Sequence, residues 1–264
     1  MINPFLLQKK NLKKVIKIFI SVSSIFISSG VLPASQKIDI QDERVLNNPP
    51  EIVKKGDVLY FDGQITNEAY VLFLKEIGNS RIKTVSVNSI GGDVENALSI
   101  ASYIKKNNMD IEVRSVCASA CANYLFVAGN RKLINNDSYI LWHGGANGPE
   151  QEVEISGDIT RAEFFRLESV QQIKKKEALF YKEAGVRNEI CYCPQLKNNY
   201  HDTFPEKWFS YSPEDMNRFG IKNISFATTP SQWLMSMRKK HVIFAHYCNQ
   251  EMNRHGFNRH LRVI

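Results

Sequence analysis

Between residues 58 and 142, short β-branched and aromatic runs alternate with stretches of helical spacing, and this alternation limits the fold more than any other feature. Val58-Leu59-Tyr60-Phe61, Thr84-Val85-Ser86-Val87, 111–116 and 139–142 read as strands. Residues 68–77, 94–106 and the apolar 120–128 read as helices between them, and in 94–106 Ala97, Leu98, Ile100, Ala101 and Ile104 form one stripe. Strands joined through helices run parallel, so the order predicts an α/β core of crossover units. A chain of 264 residues that is 43% hydrophobic can fill such a core, which excludes a disordered tail or a disulfide mini-scaffold.

The flanks read differently. Lys9, Lys10, Lys13, Lys14 and Lys17 precede an apolar, serine-containing stretch at 18–32, and Ala34 and Ser35 follow, which is the order of a secretory signal peptide over 1–34. An uncleaved anchor is the alternative, but a span needs about 20 apolar residues. Either reading places the folded part outside the cytoplasm, periplasmic or anchored at the inner membrane. Residues 35–56, with Asn47-Asn48-Pro49-Pro50, read as a linker, 57–226 as the domain, and 227–264 as a basic solvated extension carrying Trp233, His241, His246, His255 and His260. The net charge of +7 suggests nucleic acid, but the five leader lysines account for most of it. Without the leader, 29 basic face 27 acidic residues, and the case for a nucleic-acid partner falls away.

Beyond the core, 160–183 reads as one long helix whose Lys174-Lys175-Lys176 run is a solvated face, and 191–206 as loop. Ser212 caps a short helix over 213–219. All five cysteines fall in the exported part, where disulfides are permitted, and the odd count leaves at least one without an intrachain partner. Cys191 and Cys193 are too close for an ordinary bridge to each other. A zinc site with His201 is the competing reading, but no second ligand pair stands beside them.

Three features put a reactive or polarising group at the end of a predicted strand, where α/β proteins build sites. In Ser89-Ile90-Gly91-Gly92-Asp93, paired glycines at a helix entrance leave backbone N–H groups open to an anionic oxygen, or simply make a tight turn. In Cys117-Ala118-Ser119-Ala120-Cys121, a serine between small residues suits a nucleophile elbow, and equally an N-cap. Cys117 and Cys121 could close a disulfide across that turn, be two small buried residues, or supply a thiol nucleophile. In Trp142-His143-Gly144-Gly145, a histidine leaves a strand into a glycine turn, free to act as a general base. Together these are the parts of acyl transfer.

In that order and spacing, with C-A-S-A-C-A-N-Y-L-F-V-A-G-N-R and N-D-S-Y-I-L-W-H-G-G, the stretch Ser86 to Gly145 resembles the Clp-type serine peptidases of the crotonase-like superfamily, and above all their exported bacterial branch. Ser212-Pro213-Glu214-Asp215 with Phe219-Gly220-Ile221 is similar to that family's closing helix and turn. The resemblance implies an α/β core of repeated β-β-α units with a helical and irregular C-terminal extension. It implies Ser119 as nucleophile, His143 as general base, and the amides of Gly92 and Ala120 as oxyanion hole. The family's acid precedes the closing helix, where this chain offers Asp202. No metal or cofactor is implied, the substrate is a peptide or protein, and relatives form homo-oligomers. One departure is an extra residue between Ser119 and Gly129, so that a strict register sets Ala120 at the nucleophile position. The function so implied is an exported serine hydrolase, most simply a peptidase. The alternatives are an inactive fold that binds peptides or a protein partner, and a crotonase-type acyl-thioester enzyme, against which export from the coenzyme A pool counts.

Overall fold

The computed structural model describes residues 40, 42–78, 81–155 and 157–248. Residues 1–34, expected to be a signal peptide, and His255 and His260 lie outside the described residues. β1 (Glu51–Lys55) and β2 (Val58–Asp62) form an antiparallel hairpin with Lys55 opposite Val58, and Gly56 takes the left-handed φ of +63° that the two-residue turn requires. β2, β3 (Thr84–Ser89) and β4 (Asp110–Ala118) then run parallel. The crossovers are α1 (Asn67–Ile77), capped by Thr66, and α2 (Val94–Lys106), capped by Asp93. All five residues of the predicted α2 stripe are buried. Each large aliphatic among them contributes about 1.5–3 kcal/mol by leaving water.

β4 is shared. Its amino half pairs with β5 (Lys132–Ile134) and its carboxyl half with β6 (Tyr139–Leu141), both parallel, so the sheet forks along this strand. β8 (Ile224–Phe226) extends the β5 branch. The mixed α/β core expected from the alternation is therefore present, with a mainly parallel seven-stranded sheet.

Several expectations need correction. Residues 51–55 were expected in a linker but form β1; only Ile52 in it is buried, so an edge strand reads as polar. The arm ahead of it is packed too, with Val45 buried and Asp42 accepting a 2.8 Å hydrogen bond from Asn88. The long helix expected over 160–183 is two, α3 (Arg161–Arg166) and α4 (Glu168–Ala184), because Leu167 between them is extended at ψ 132°. Within 191–206, α5 (Tyr200–Thr203) and short 3-10 turns replace irregular loop. β7 (Ser210–Tyr211) leads into α6 (Pro213–Arg218), which Ser212 caps as expected.

The C-terminal extension is not a solvated appendage as far as it is described. α7 (Pro230–Lys239) buries Trp233 and Met237, and Trp233 donates its indole N–H to Ser138 O at 2.8 Å. β9 (Phe244–Ala245) pairs with β7, and Cys248 is disulfide-bonded to Cys193. Among the described residues, no helix is long and apolar enough to cross a membrane.

Candidate active site

Strand register assembles the site. Ser89 pairs with Cys117 across β3 and β4, and Ala118 with Leu141 across β4 and β6. The residues just beyond these pairs, 90–92, 119–120 and 142–143, therefore leave the sheet at one place. There Ser119 Oγ lies 2.6 Å from His143 Nε2.

Ser119 sits on a sharp turn. Its φ is +54°, a left-handed conformation that costs a residue with a Cβ about 1–2 kcal/mol. Its N–H donates to Leu141 O at 2.9 Å and its carbonyl accepts from Asn123 N at 2.8 Å, so the turn is fixed on both sides. Cys117 and Cys121 are joined in a disulfide with Cα atoms 5.2 Å apart, and both are fully buried. That disposes of the thiol-nucleophile alternative, since neither sulfur is free. The extra residue before Gly129 is taken up by a π-helical segment, Cys121–Phe126, whose wider turn holds one residue more than an α-helical one. Ala120, which the strict register sets at the nucleophile position, instead begins the helix in a right-handed conformation.

The double glycine has no room for side chains. A Cβ on Gly91 (φ +91°) would stand 2.6 Å from Ala118 O and 2.7 Å from Ala120 N, and one on Gly92 (φ +146°) would stand 2.3 Å from Ile65 O. Gly91 thus packs directly on the serine turn. Ile65 N and Asp93 N both bond across this bridge, whereas the N–H groups of Gly92 and Ala120 donate to no partner among the described residues. Both amides belong to the two turns that meet where Gly91 packs on Ser119, and unpaired amides are the donors an oxyanion requires.

His143 packs against Trp208 at a tilt of 41°, with ring centroids 4.2 Å apart. Burial pushes its pKa down to about 4, while the charge of Glu154 pulls upward and that of Lys207 downward. The ring is neutral over the physiological range and can accept a proton. Among the described residues, no carboxylate hydrogen-bonds to the imidazole. Asp202 lies exposed on α5 and makes no hydrogen bond or ion pair with His143. The carboxylate whose field reaches the ring is Glu154, itself paired with Lys207 at 2.7 Å. His201, Asp202's neighbour, faces Glu152 at 3.2 Å.

Sequence reasoning missed the groups that hold the base. Gln195 donates to His143 O at 2.9 Å and Asn123 to Gly144 O at 2.8 Å. A surface cleft of about 410 Å³, lined by Asn147, Gly148, Tyr192, Gln195 and Tyr200 among others, opens beside this loop. The two cysteines weighed as zinc ligands go separate ways: Cys193 to its disulfide, and Cys191 to a buried contact with the Tyr181 hydroxyl at 2.9 Å. Among the described residues, no three metal-ligating side chains cluster.

No protein-family model matches the chain, and no curated protein matches it. Among solved structures, a ClpP1 mutant from Listeria monocytogenes is similar at 19% identity, covering 67% of this chain and 95% of that one, with a TM-score of 0.43.

Proposed function

We propose that this protein is a serine hydrolase, and specifically a peptidase, in which Ser119 and His143 act as a dyad. The observation that carries the reading is the 2.6 Å contact between Ser119 Oγ and a neutral imidazole nitrogen, made by a serine held at positive φ. His143 takes the hydroxyl proton as Ser119 attacks a carbonyl carbon. The amides of Gly92 and Ala120 receive the oxyanion, each such donor being worth about 3–4 kcal/mol in the transition state. Collapse expels the leaving group, which takes the proton from His143, and water repeats the sequence to free the enzyme. Two disulfides and the lysine-rich leader support export, and with it a periplasmic peptide or protein substrate.

The test is fluorophosphonate labelling of the folded mature protein, with the modified residue located by mass spectrometry. The expected result is label on Ser119 that disappears in Ser119→Ala and falls by at least about 100-fold in His143→Ala. Folded protein that takes no label overturns the reading. It favours instead a binder of peptides through the same site, the alternative to which the lack, among the described residues, of a carboxylate bonded to His143 points.

A further inference from the structure

Glu177 is a carboxylate with no exposed surface, on a helix whose sequence advertises a solvated lysine face. Every hydrogen-bond partner it has among the described residues donates to it. Tyr124 OH lies 2.7 Å from Oε1 and Ala146 N 3.1 Å from the same oxygen. Asn147 N and Asn147 Nδ2 each lie 2.7 Å from Oε2. Four donors and no acceptor suit a carboxylate, and they would leave the NH₂ of a carboxamide facing N–H and O–H groups.

The placement of these donors matters more than their number. Tyr124 belongs to the π-helical segment that starts two residues after Ser119, whereas Ala146 and Asn147 end the loop that starts at His143. One side chain therefore ties the element behind the serine to the loop behind the histidine. Its neighbour Tyr181, one turn on along α4, donates to Asn123 O at 2.5 Å and strengthens the same tie. Gly145 is pressed against it so closely that a Cβ there would stand 2.9 Å from Glu177 Oε1.

Resting on the hydrolase reading, we infer that Glu177 is a positioning residue that sets the distance between Ser119 and His143 from behind, in an arrangement where no carboxylate among the described residues bonds to the imidazole itself. It touches neither reacting group. A buried four-donor acceptor can hold a loop to the few tenths of an ångström that proton transfer needs, because each unsatisfied donor would be costly.

The test uses Glu177→Gln in the full mature chain and fluorophosphonate at varied concentration, so that probe binding and the first-order labelling step separate. The expected result is a first-order constant lowered roughly 10- to 100-fold, half-saturation changed by less than about twofold, and faster amide exchange at Ala146 and Asn147. A folded Glu177→Gln that labels at the wild-type first-order constant overturns the assignment, as does a loss confined to half-saturation. Wild-type protein that takes no label overturns the hydrolase reading and this inference with it, an outcome distinct from the first. Should Glu177→Gln fail to fold, Asn147→Ala removes one donor only and is expected to lower the first-order constant about 3- to 10-fold; an unchanged constant there also overturns the assignment.

Discussion

The two halves of the site are held by different physics. On the serine side the restraints are steric and covalent: two glycines with no space for a Cβ, a serine at φ +54°, and a disulfide closing around it. On the histidine side the restraints are hydrogen bonds to side chains: Gln195 donates to His143 O and Asn123 to Gly144 O, and Glu177 accepts from the amides of Ala146 and Asn147 that follow. The serine turn is most vulnerable to an added atom at Gly91 or Gly92 and the histidine loop to a lost polar partner, although Gly145 in that loop also has no room for a Cβ.

The sharpest way to break this comparison is Gly92→Ala, which drives a methyl into Ile65 O at a φ that L-residues avoid. It should cost about 3 kcal/mol or more and abolish labelling at Ser119, measured by urea unfolding and mass spectrometry. Next comes removal of the disulfide by Cys117→Ala with Cys121→Ala. The small loop it closes predicts a loss of about 2 kcal/mol, measured by urea unfolding.

Acid addresses the histidine side. Because burial lowers the folded pKa of His143 to about 4, labelling should stay flat from about pH 8 to pH 5 and fall tenfold per unit below 4, a base that is protonated being unable to accept. An ordinary histidine would begin to fail near pH 6.5. By the same linkage the unfolded chain takes the proton first, so this group's contribution to stability is lost as pH falls from 6.5 through about 4. The smallest effect is expected from Asp202→Asn, which should leave the labelling rate within about twofold, since the exposed side chain makes no bond to the imidazole. A large drop there would mean that the histidine side has a restraint other than those named.

Much of the core was legible because periodicity survives wherever one face is buried. α2 falls at its predicted bounds, and Ser119 and His143 stand out by their places at strand ends. β1 was not legible, since an edge strand with one buried residue carries no alternation. The helix expected over 120–128 is present, but its π-helical character at Cys121–Phe126 was not legible, since all six of those residues are buried and no face is marked. Glu177 follows directly on Lys174-Lys175-Lys176, and only tertiary packing turns it inward while its neighbours face water. Asp202 failed for the opposite reason: its place in the order of the chain suggested a role that its position in space does not provide.

The chain's last described stretch has a bearing on the order of assembly. α7 clasps the residues that open β6 through Trp233 to Ser138 and Lys240 to Asp137, and β9 pairs with β7, whose preceding residue Phe209 bonds Trp142 at the other end of that strand. A polypeptide that appears amino end first thus builds the serine turn from its first half, yet the strand presenting the base gains all its neighbours only when residues 230–245 arrive. The strand that leads to His143 is therefore fully packed only once residues 230–245 are in place, and a chain cut short before α7 would hold that histidine less firmly.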